Sequence, residues 1–148
     1  MMTNYENPWL FNNKPFNTED IGKSVGFVYV IISQVTSRCY IGRKYFFSHR
    51  KKKGAARRSK AESDWKVYYG SNKVLLEEIE KNGRENYKRI ILSLLSTKGD
   101  VNYEEVKQQF LQNVLEEDKY YNDNINGKWY RKADHIVKGR MINEHFRF

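Results

Sequence analysis

Residues 26–42, GFVYVIISQVTSRCYIG, decide the fold of this chain. The first part, residues 26–32, is β-branched and aromatic, which is a composition typical of a strand. After a turn-like break, residues 38–42 predict a second short strand. Because so short a link joins them, the two strands are expected to form an antiparallel hairpin.

The predicted hairpin carries two tyrosines, Tyr29 in the first strand and Tyr40 in the second, eleven residues apart. Paired strands lie about 4.8 Å apart, so the hairpin is expected to bring the two phenols close together. This chain is rich in tyrosine, and both residues also fit ordinary strand aromatics. The two residues alone leave both interpretations open.

Three further segments have a regular pattern. Residues 71–82 predict a helix capped by Ser71 or Asn72. Residues 87–95 predict a third, well-buried strand, for which a buried helix is the alternative. Residues 102–117 predict a second helix whose apolar positions share one face. Those positions are Tyr103, Val106, Phe110 and Val114.

The ends of the chain and its most basic run lack such a pattern. Residues 1–25 are expected to form an arm that docks its aromatic side chains on the core. The arm is expected to be irregular, because Pro8 and Pro15 interrupt regular structure. The run at residues 49–60 is expected to be an exposed loop or a loose helix start. We therefore predict a single domain over residues 1–148, with the arm at 1–25, a core at 26–125 and a basic tail at 126–148.

Charge points to a polyanionic partner. The chain has 27 Lys and Arg against 18 Asp and Glu, a net charge of +9. Such a charge fits a nucleic-acid partner and also fits a merely soluble basic surface. It favours nucleic acid only when sequence motifs point the same way. No apolar run is long enough to span a membrane, and no secretory signal is evident. The single Cys39 excludes an internal disulfide and a cysteine zinc site, which fits a cytoplasmic setting.

The motifs of the hairpin resemble those of the GIY-YIG nuclease family. Tyr40-Ile41-Gly42 matches the second motif to the letter, and Phe27-Val28-Tyr29 stands where Gly-Ile-Tyr is usual, keeping the tyrosine. Arg50, ten residues after Tyr40, stands where the family has an arginine. Glu105 resembles the family's helical glutamate, and Asn122 resembles its turn asparagine.

The likeness extends over residues 26–124. Within it, residues 63–71, SDWKVYYGS, resemble a subgroup of the family with restriction-type and phage-type members. The family implies an α/β fold with a small three-stranded antiparallel sheet flanked by helices. No element of the likeness is decisive alone, but their order and spacing together are much more specific.

The resemblance also implies a one-metal site. Glu105 would hold Mg²⁺, or another divalent cation such as Mn²⁺, which polarises phosphate and stabilises the leaving oxygen. Arg50 would bind phosphate oxygens with its planar fork of donors. By analogy with the family, Tyr29 would be the general base, with a pKa lowered by the metal and the arginine. Tyr40 would orient water or phosphate, and Asn122 would position phosphate and the helix that carries Glu105.

Each role has a rival. Glu105 lies three residues after Asn102, the spacing of a capping box, and Glu104 is the fallback for the metal. Asn122 also fits a plain turn residue. In place of Arg50, the catalytic cation could be Lys44, Arg57 or Arg58. The basic residues are expected to contact phosphates rather than to read sequence; they are Lys44, His49, Lys51, Lys52, Lys53, Arg57 and Arg58.

The sequence thus predicts a metal-dependent endonuclease that hydrolyses DNA phosphodiester bonds. The basic run and the basic tail would grip the DNA backbone, and a homodimer would allow both strands to be cut at once. The location is expected to be cytoplasmic, in the host cell if the chain is phage-encoded. The alternative is a nucleic-acid-binding module on the same scaffold that no longer cuts.

Overall fold

A computed structural model describes residues 5–51, 54 and 58–132, with the backbone alone for residues 49–51, 58 and 59. The strands of this described part are β1 (Leu10–Phe11), β2 (Lys14–Pro15), β3 (Gly26–Ser33), β4 (Cys39–Tyr45), β5 (Phe47–Lys51), β6 (Arg58–Glu62), β7 (Tyr87–Leu95), β8 (Asn124–Ile125) and β9 (Trp129–Tyr130). Its helices are α1 (Lys73–Asn82) and α2 (Lys98–Leu111), and 3₁₀ turns lie at Thr18–Asp20, Trp65–Val67 and Arg84–Asn86.

The main sheet has the strand order β2-β1-β7-β3-β4. Its three long strands β7, β3 and β4 are antiparallel, as the sequence predicts. The predicted number of three strands is wrong, because the described residues form a five-stranded sheet that is mixed: β1 pairs parallel with β7. The two added strands have two residues each, which is too short to leave a periodic signal in the sequence.

The hairpin of β3 and β4 is longer than predicted, because β4 continues to Tyr45 opposite Gly26. On its other side, β3 pairs with β7 through a register shift. Val28 lies opposite Ser93 and Tyr29 lies opposite Ile91, so β7 has one extra residue there. Such a bulge twists the strands locally and changes the direction of the side chains beside it.

Alternation along β3 separates two cores. On the α1 face, Phe27, Tyr29 and Ile31 join an aromatic cluster that includes Leu75 of α1. On the α2 face, Val28 joins a smaller cluster that packs against α2 and the segment following it. The sheet is therefore buried on both faces, as in the predicted α/β class.

The first helix is confirmed and the second starts earlier than predicted. Asn72 caps α1, since its side-chain oxygen accepts a hydrogen bond from the N–H of Leu75 at 2.9 Å. Thr97 caps α2 in the same way, through the N–H of Asp100 at 3.0 Å. Because α2 begins at Lys98, the capping-box interpretation of Glu105 is wrong.

The apolar face predicted for α2 is also wrong in part. Tyr103 and Phe110 are exposed, whereas the buried positions of the helix are Val101 and Gln109. Gln109 faces the sheet because its amide donates to the backbone of β4 at 3.0 Å. Neither helix of the described chain has the length and the apolar character needed to span a bilayer.

The basic run forms strands instead of the predicted loop or helix start. β5 and β6 make a two-stranded antiparallel ribbon whose paired positions run from Phe47 and Glu62 to Lys51 and Arg58. Residues 52, 53 and 55–57 lie outside the described residues. The ribbon was missed because a run of like charges lacks the apolar alternation by which strands are recognised.

The N-terminal arm docks aromatic side chains on the core, as the sequence predicts, and it also contributes the short strands β1 and β2. Trp9 is fully buried, and its ring N–H donates to the carbonyl of Trp65 at 2.7 Å. The buried guanidinium of Arg89 donates to the carbonyls of Asn7, at 2.5 Å, and Tyr68, at 2.8 Å. Pro15 is tolerated because β2 is an edge strand.

The first part of the predicted basic tail forms β9, which pairs antiparallel with β8 at the end of the predicted core. Arg131 follows it and donates to the carbonyls of Asn122 at 3.1 Å, Tyr120 at 3.0 Å and Val114. This arginine therefore fixes the turn before β8 and does not extend into solvent as a free cation. Residues 133–148 lie outside the described residues, so the rest of the tail prediction stands as a prediction.

Candidate active site

The register of the hairpin brings the two predicted tyrosines together. Tyr29 lies directly opposite Gly42, two residues from Tyr40 on the same face of β4, and the two rings are 6.2 Å apart between centroids. The phenol of Tyr29 lies over Gly42, where any Cβ would collide with its hydroxyl. The glycine of the second motif is therefore required because Tyr29 occupies the space of a side chain.

The segment before α1 encloses the two phenols. The ring of Tyr68 meets that of Tyr29 edge-on, with centroids 6.1 Å apart, and Ser71 Oγ is 3.1 Å from the hydroxyl of Tyr40. Gly70 has a positive φ of 89°, and a Cβ there would press on Tyr40 at 3.2 Å. Residues 63–71 thus contribute contacts to the site, although the sequence offered them only as a family likeness.

Two side chains bind the free edge of β4 at Ile41. Asn122 is buried, and its amide accepts from the N–H of Ile41 at 3.1 Å and donates to the carbonyl of Ile41 at 2.8 Å. Gln109 donates to the same carbonyl. Both polar groups of Asn122 are thus bonded to β4. They hold this strand, and not the helix that carries Glu105, so the predicted role in positioning that helix and phosphate stays a prediction.

Glu105 occupies the next position along this edge. Its carboxylate lies 3.2 Å from Nε of Arg43 and also accepts a hydrogen bond from the backbone N–H of Arg43. Its side chain is only 19% exposed, and burial raises its pKa above the usual value despite the opposing effects of Arg43. Glu104, the fallback, instead pairs with Gln108 along α2.

The phenols, the carboxylate and the amide therefore meet around one short stretch, residues 40–43. Burial raises the pKa of Tyr29 well above its usual value, and the neighbouring phenols of Tyr68 and Tyr40 and the charge of Glu105 raise it further. The pKa of Tyr40 is raised by burial as well, with a smaller contribution from Glu105. The chain's own groups thus oppose the lowered phenol pKa expected for a general base.

A second ion pair lies on the α1 face of the same strand. Lys44 Nζ is 2.5 Å from Oδ1 of Asp64 and 4.0 Å from the ring centroid of Tyr68. Lys44 is predicted as a phosphate contact, and its ammonium is held beside the ring of Tyr68. Its side chain is 20% exposed, whereas that of Asp64 is 64% exposed.

The placement of the predicted basic contacts is described only in part. Arg50, with His49 and Lys51, lies on β5, where its backbone pairs with Ser59, and Arg58 lies on β6. The side chains of these residues, and all of Lys52, Lys53 and Arg57, lie outside the described residues. The choice of Arg50 as the catalytic cation remains a prediction.

The sequence missed Arg43, Tyr68 and Asp64 as members of the site. Strand alternation places Arg43 on the opposite face from Tyr40, but no local signal shows that α2 crosses there. Tyr68 is one of eleven tyrosines, and only its contact with Tyr29 distinguishes it. These residues are recognised from long-range packing, which a single sequence does not give.

The donor set at this edge fits a hard divalent cation. Among the described residues no cluster of three or more His, Cys, Asp and Glu forms a ready-made metal site, so a metal here would rest on Glu105. Mg²⁺ keeps several waters and uses one or two carboxylates. A carboxylate whose charge is only partly compensated by Arg43, as its raised pKa indicates, suits such an ion.

Comparison with known proteins identifies the family of the chain. Neither a curated protein nor a solved structure matches the chain significantly. One family model does match, over residues 9–125, and it is described as "Putative endonuclease segE, GIY-YIG domain". The match spans the hairpin, both helices and the turn that holds Asn122, and by it this chain belongs to the segE branch of the GIY-YIG nuclease family.

Proposed function

We propose that this chain is a divalent-metal-dependent endonuclease that hydrolyses phosphodiester bonds of DNA. The observation that carries the proposal is the shielded carboxylate of Glu105, which lies at the open edge of β4 within electrostatic range of two phenols. Mg²⁺ or Mn²⁺ held by Glu105 would supply positive charge that polarises the phosphate and stabilises the departing oxygen. A net charge of +9 supports DNA as the partner.

The chain's own residues then have distinct tasks. Because their pKa values are raised, Tyr29 and Tyr40 keep their protons at neutral pH and act as hydrogen-bond donors that orient a phosphate oxygen or the attacking water. Asn122 acts as a positioning residue that fixes the strand beside them. Arg50, on the basic ribbon, remains the proposed phosphate-binding guanidinium, with Lys44 as a further phosphate contact.

The decisive experiment is relaxation of supercoiled plasmid by the purified chain with Mg²⁺, with Mn²⁺, and with excess chelator. We expect nicked or linear product with either metal and none with chelator, while a gel-shift assay in chelator shows that DNA binding persists. Cutting that continues in chelator would contradict the metal requirement. Binding without cutting under every metal would identify a binding module that no longer hydrolyses DNA.

The role of the phenols is tested by the pH dependence of the single-turnover rate. For hydrogen-bond donors the rate stays nearly flat from pH 7 to 9, because neither phenol ionises in this range. If Tyr29 were the general base with a raised pKa, the rate would rise about tenfold per pH unit, since the ionised fraction does so below the pKa. Tyr29→Phe identifies the source, because it removes the slope only in the second case.

A further inference from the structure

We propose that Arg43 is an exchangeable counter-ion: it neutralises Glu105 before metal binds, and divalent metal displaces its guanidinium, which then binds a phosphate oxygen of the substrate. This inference rests on the proposed function, because it takes Glu105 as the metal ligand. It assigns a role to a residue that the family resemblance did not single out. It also explains how a carboxylate shielded from water is kept ready for a cation.

The two partners of the pair differ in how they are held. Glu105 is 19% exposed and Arg43 is 39% exposed. The carboxylate also accepts from the backbone N–H of Arg43, a bond that remains if the guanidinium leaves. The side chain of Arg43 is therefore the partner that can move into solvent without unfolding the edge of β4.

After a metal displaces it from Glu105, the guanidinium of Arg43 can stack on the ring of Tyr45. It already lies 5.2 Å from the ring centroid of Tyr45, and the hydroxyl of Tyr45 is fixed by Asn102 at 2.6 Å. A stacked arginine keeps its fork of donors free for phosphate oxygens. No second carboxylate forms an ion pair with Arg43 among the described residues, so an anion supplied by the substrate would find this cation uncommitted.

Electrostatics makes metal and guanidinium exclude one another at this carboxylate. Both carry positive charge and both require the same oxygens, so binding of a dication weakens the ion pair by repulsion as well as by competition. Removing the guanidinium should then strengthen metal binding. A half-exposed ion pair is worth about 1 kcal/mol, which corresponds to roughly fivefold in affinity.

The test is titration of the full chain with Mn²⁺ in the absence of DNA, following the electron paramagnetic resonance signal of free Mn²⁺. We expect Arg43→Gln to bind Mn²⁺ roughly fivefold more tightly than the wild type and Glu105→Gln to abolish the site. Arg84→Gln is the matched control, because it removes an arginine of another ion pair, Arg84–Glu6, without touching Glu105, and it should leave the affinity within about twofold. Circular dichroism melts establish that each variant is folded.

The outcomes separate the inference from the function on which it rests. Unchanged or weaker Mn²⁺ binding by folded Arg43→Gln, with the site lost in Glu105→Gln, overturns the exchange but leaves the metal site intact. Unchanged binding in Glu105→Gln, or no binding by the wild type, overturns both. Plasmid cleavage at saturating Mn²⁺ tests the second half of the proposal. Arg43→Gln should cleave at least tenfold more slowly than the wild type, although it binds Mn²⁺ more tightly. A wild-type cleavage rate would contradict the proposal that the displaced guanidinium binds a phosphate oxygen.

Discussion

Two neighbouring residues of β4 carry cations to opposite faces of the sheet, and each meets a carboxylate. In the pair on the α2 face, the carboxylate of Glu105 is shielded and Arg43 is the more exposed partner. In the pair on the α1 face the order is reversed, because Lys44 is shielded against Tyr68 and Asp64 is exposed. One pair therefore has a shielded anion, Glu105, and the other has a shielded cation, Lys44. A phenol lies beside each pair.

This difference has chemical consequences. An anchored carboxylate with a replaceable cation is suited to hold a metal, whereas an anchored ammonium with a replaceable carboxylate is suited to hold a phosphate. Gly42, which precedes these two cations, leaves room for the phenol of Tyr29 against the strand. We therefore expect the two pairs to differ in cleavage, in stability and in DNA binding.

The largest difference is expected in cleavage. Glu105→Gln should lower the rate of plasmid cleavage by at least about 100-fold, because it removes the proposed metal ligand while keeping the shape. Asp64→Asn should change the rate by less than about threefold, since an exposed carboxylate is easily replaced by water. Equal losses in the two variants, measured in single turnover, would remove the distinction between the pairs.

Gly42, which precedes the two pairs along β4, gives the next effect. Gly42→Ala should lower the free energy of unfolding by about 1–3 kcal/mol, because the added methyl group meets the phenol of Tyr29 and forces it aside. Gly99→Ala is the control: it lies on α2 with open space around it and should stabilise the chain by about 0.5–1 kcal/mol. Urea unfolding of both variants measures this, and a Gly42→Ala protein with wild-type stability and cleavage would mean that the phenol is misplaced.

A smaller effect concerns pH. The pKa of Glu105 is raised in the folded protein, so folding favours the neutral carboxyl group. The contribution of this group to the stability of the folded protein is therefore fully present below its pKa in the unfolded chain. It is lost as the pH rises through its pKa in the folded protein. In chelator, Glu105→Gln should therefore resist urea better than the wild type at pH 7, and the gap should close near pH 4. Asp64→Asn should shift stability by under about 0.5 kcal/mol at either pH.

A Glu105→Gln variant that is less stable than the wild type at pH 7 would show that Arg43 outweighs the cost of burying the carboxylate. In that case Glu105 would resemble an ordinary structural ion pair, and its suitability for a metal would lose support. The pH series separates this from a general loss of packing, because packing defects persist at pH 4.

How much of this could be predicted from the sequence depends on how local each feature is. The β3–β4 hairpin and β7 were predicted because β-branched and aromatic runs identify buried strands without reference to the rest of the chain. The two-residue strands β1 and β2 depend on a parallel contact with β7 far along the chain, and the β5–β6 ribbon is hidden by its like charges. The predicted start of α2 at residue 102 is wrong, because the Thr97 cap sets the start at Lys98.

How well each site residue could be predicted also depends on how local its signal is in the sequence. Tyr29, Tyr40, Glu105 and Asn122 are predicted through a family resemblance, and the structure places them around residues 40–43. Arg43 could not be selected, because its importance comes from α2 crossing β4 at that point. The group that Asn122 holds could not be predicted either, since its hydrogen bonds to Ile41 are visible only in three dimensions.

The smallest effect is expected in DNA binding by the pair on the α1 face. If Lys44 is an anchored phosphate contact, Lys44→Gln should weaken binding of any DNA sequence to a similar degree and reduce the slope of log affinity against log salt by about 1. Asp64→Asn should act in the opposite direction and tighten binding by a few-fold, because it releases the ammonium from competition. Fluorescence anisotropy in chelator at several salt concentrations measures both.

The two variants must shift affinity with opposite sign for the comparison to hold. If Asp64→Asn weakens binding, the carboxylate is holding Lys44 in place and is not a replaceable partner, and the pair is then structural. If Lys44→Gln leaves the salt slope unchanged, its ammonium touches no phosphate. In either case the α1 face would contribute only the phenols to the site, and the positive charge for the substrate would have to come from Arg43 and the β5–β6 ribbon.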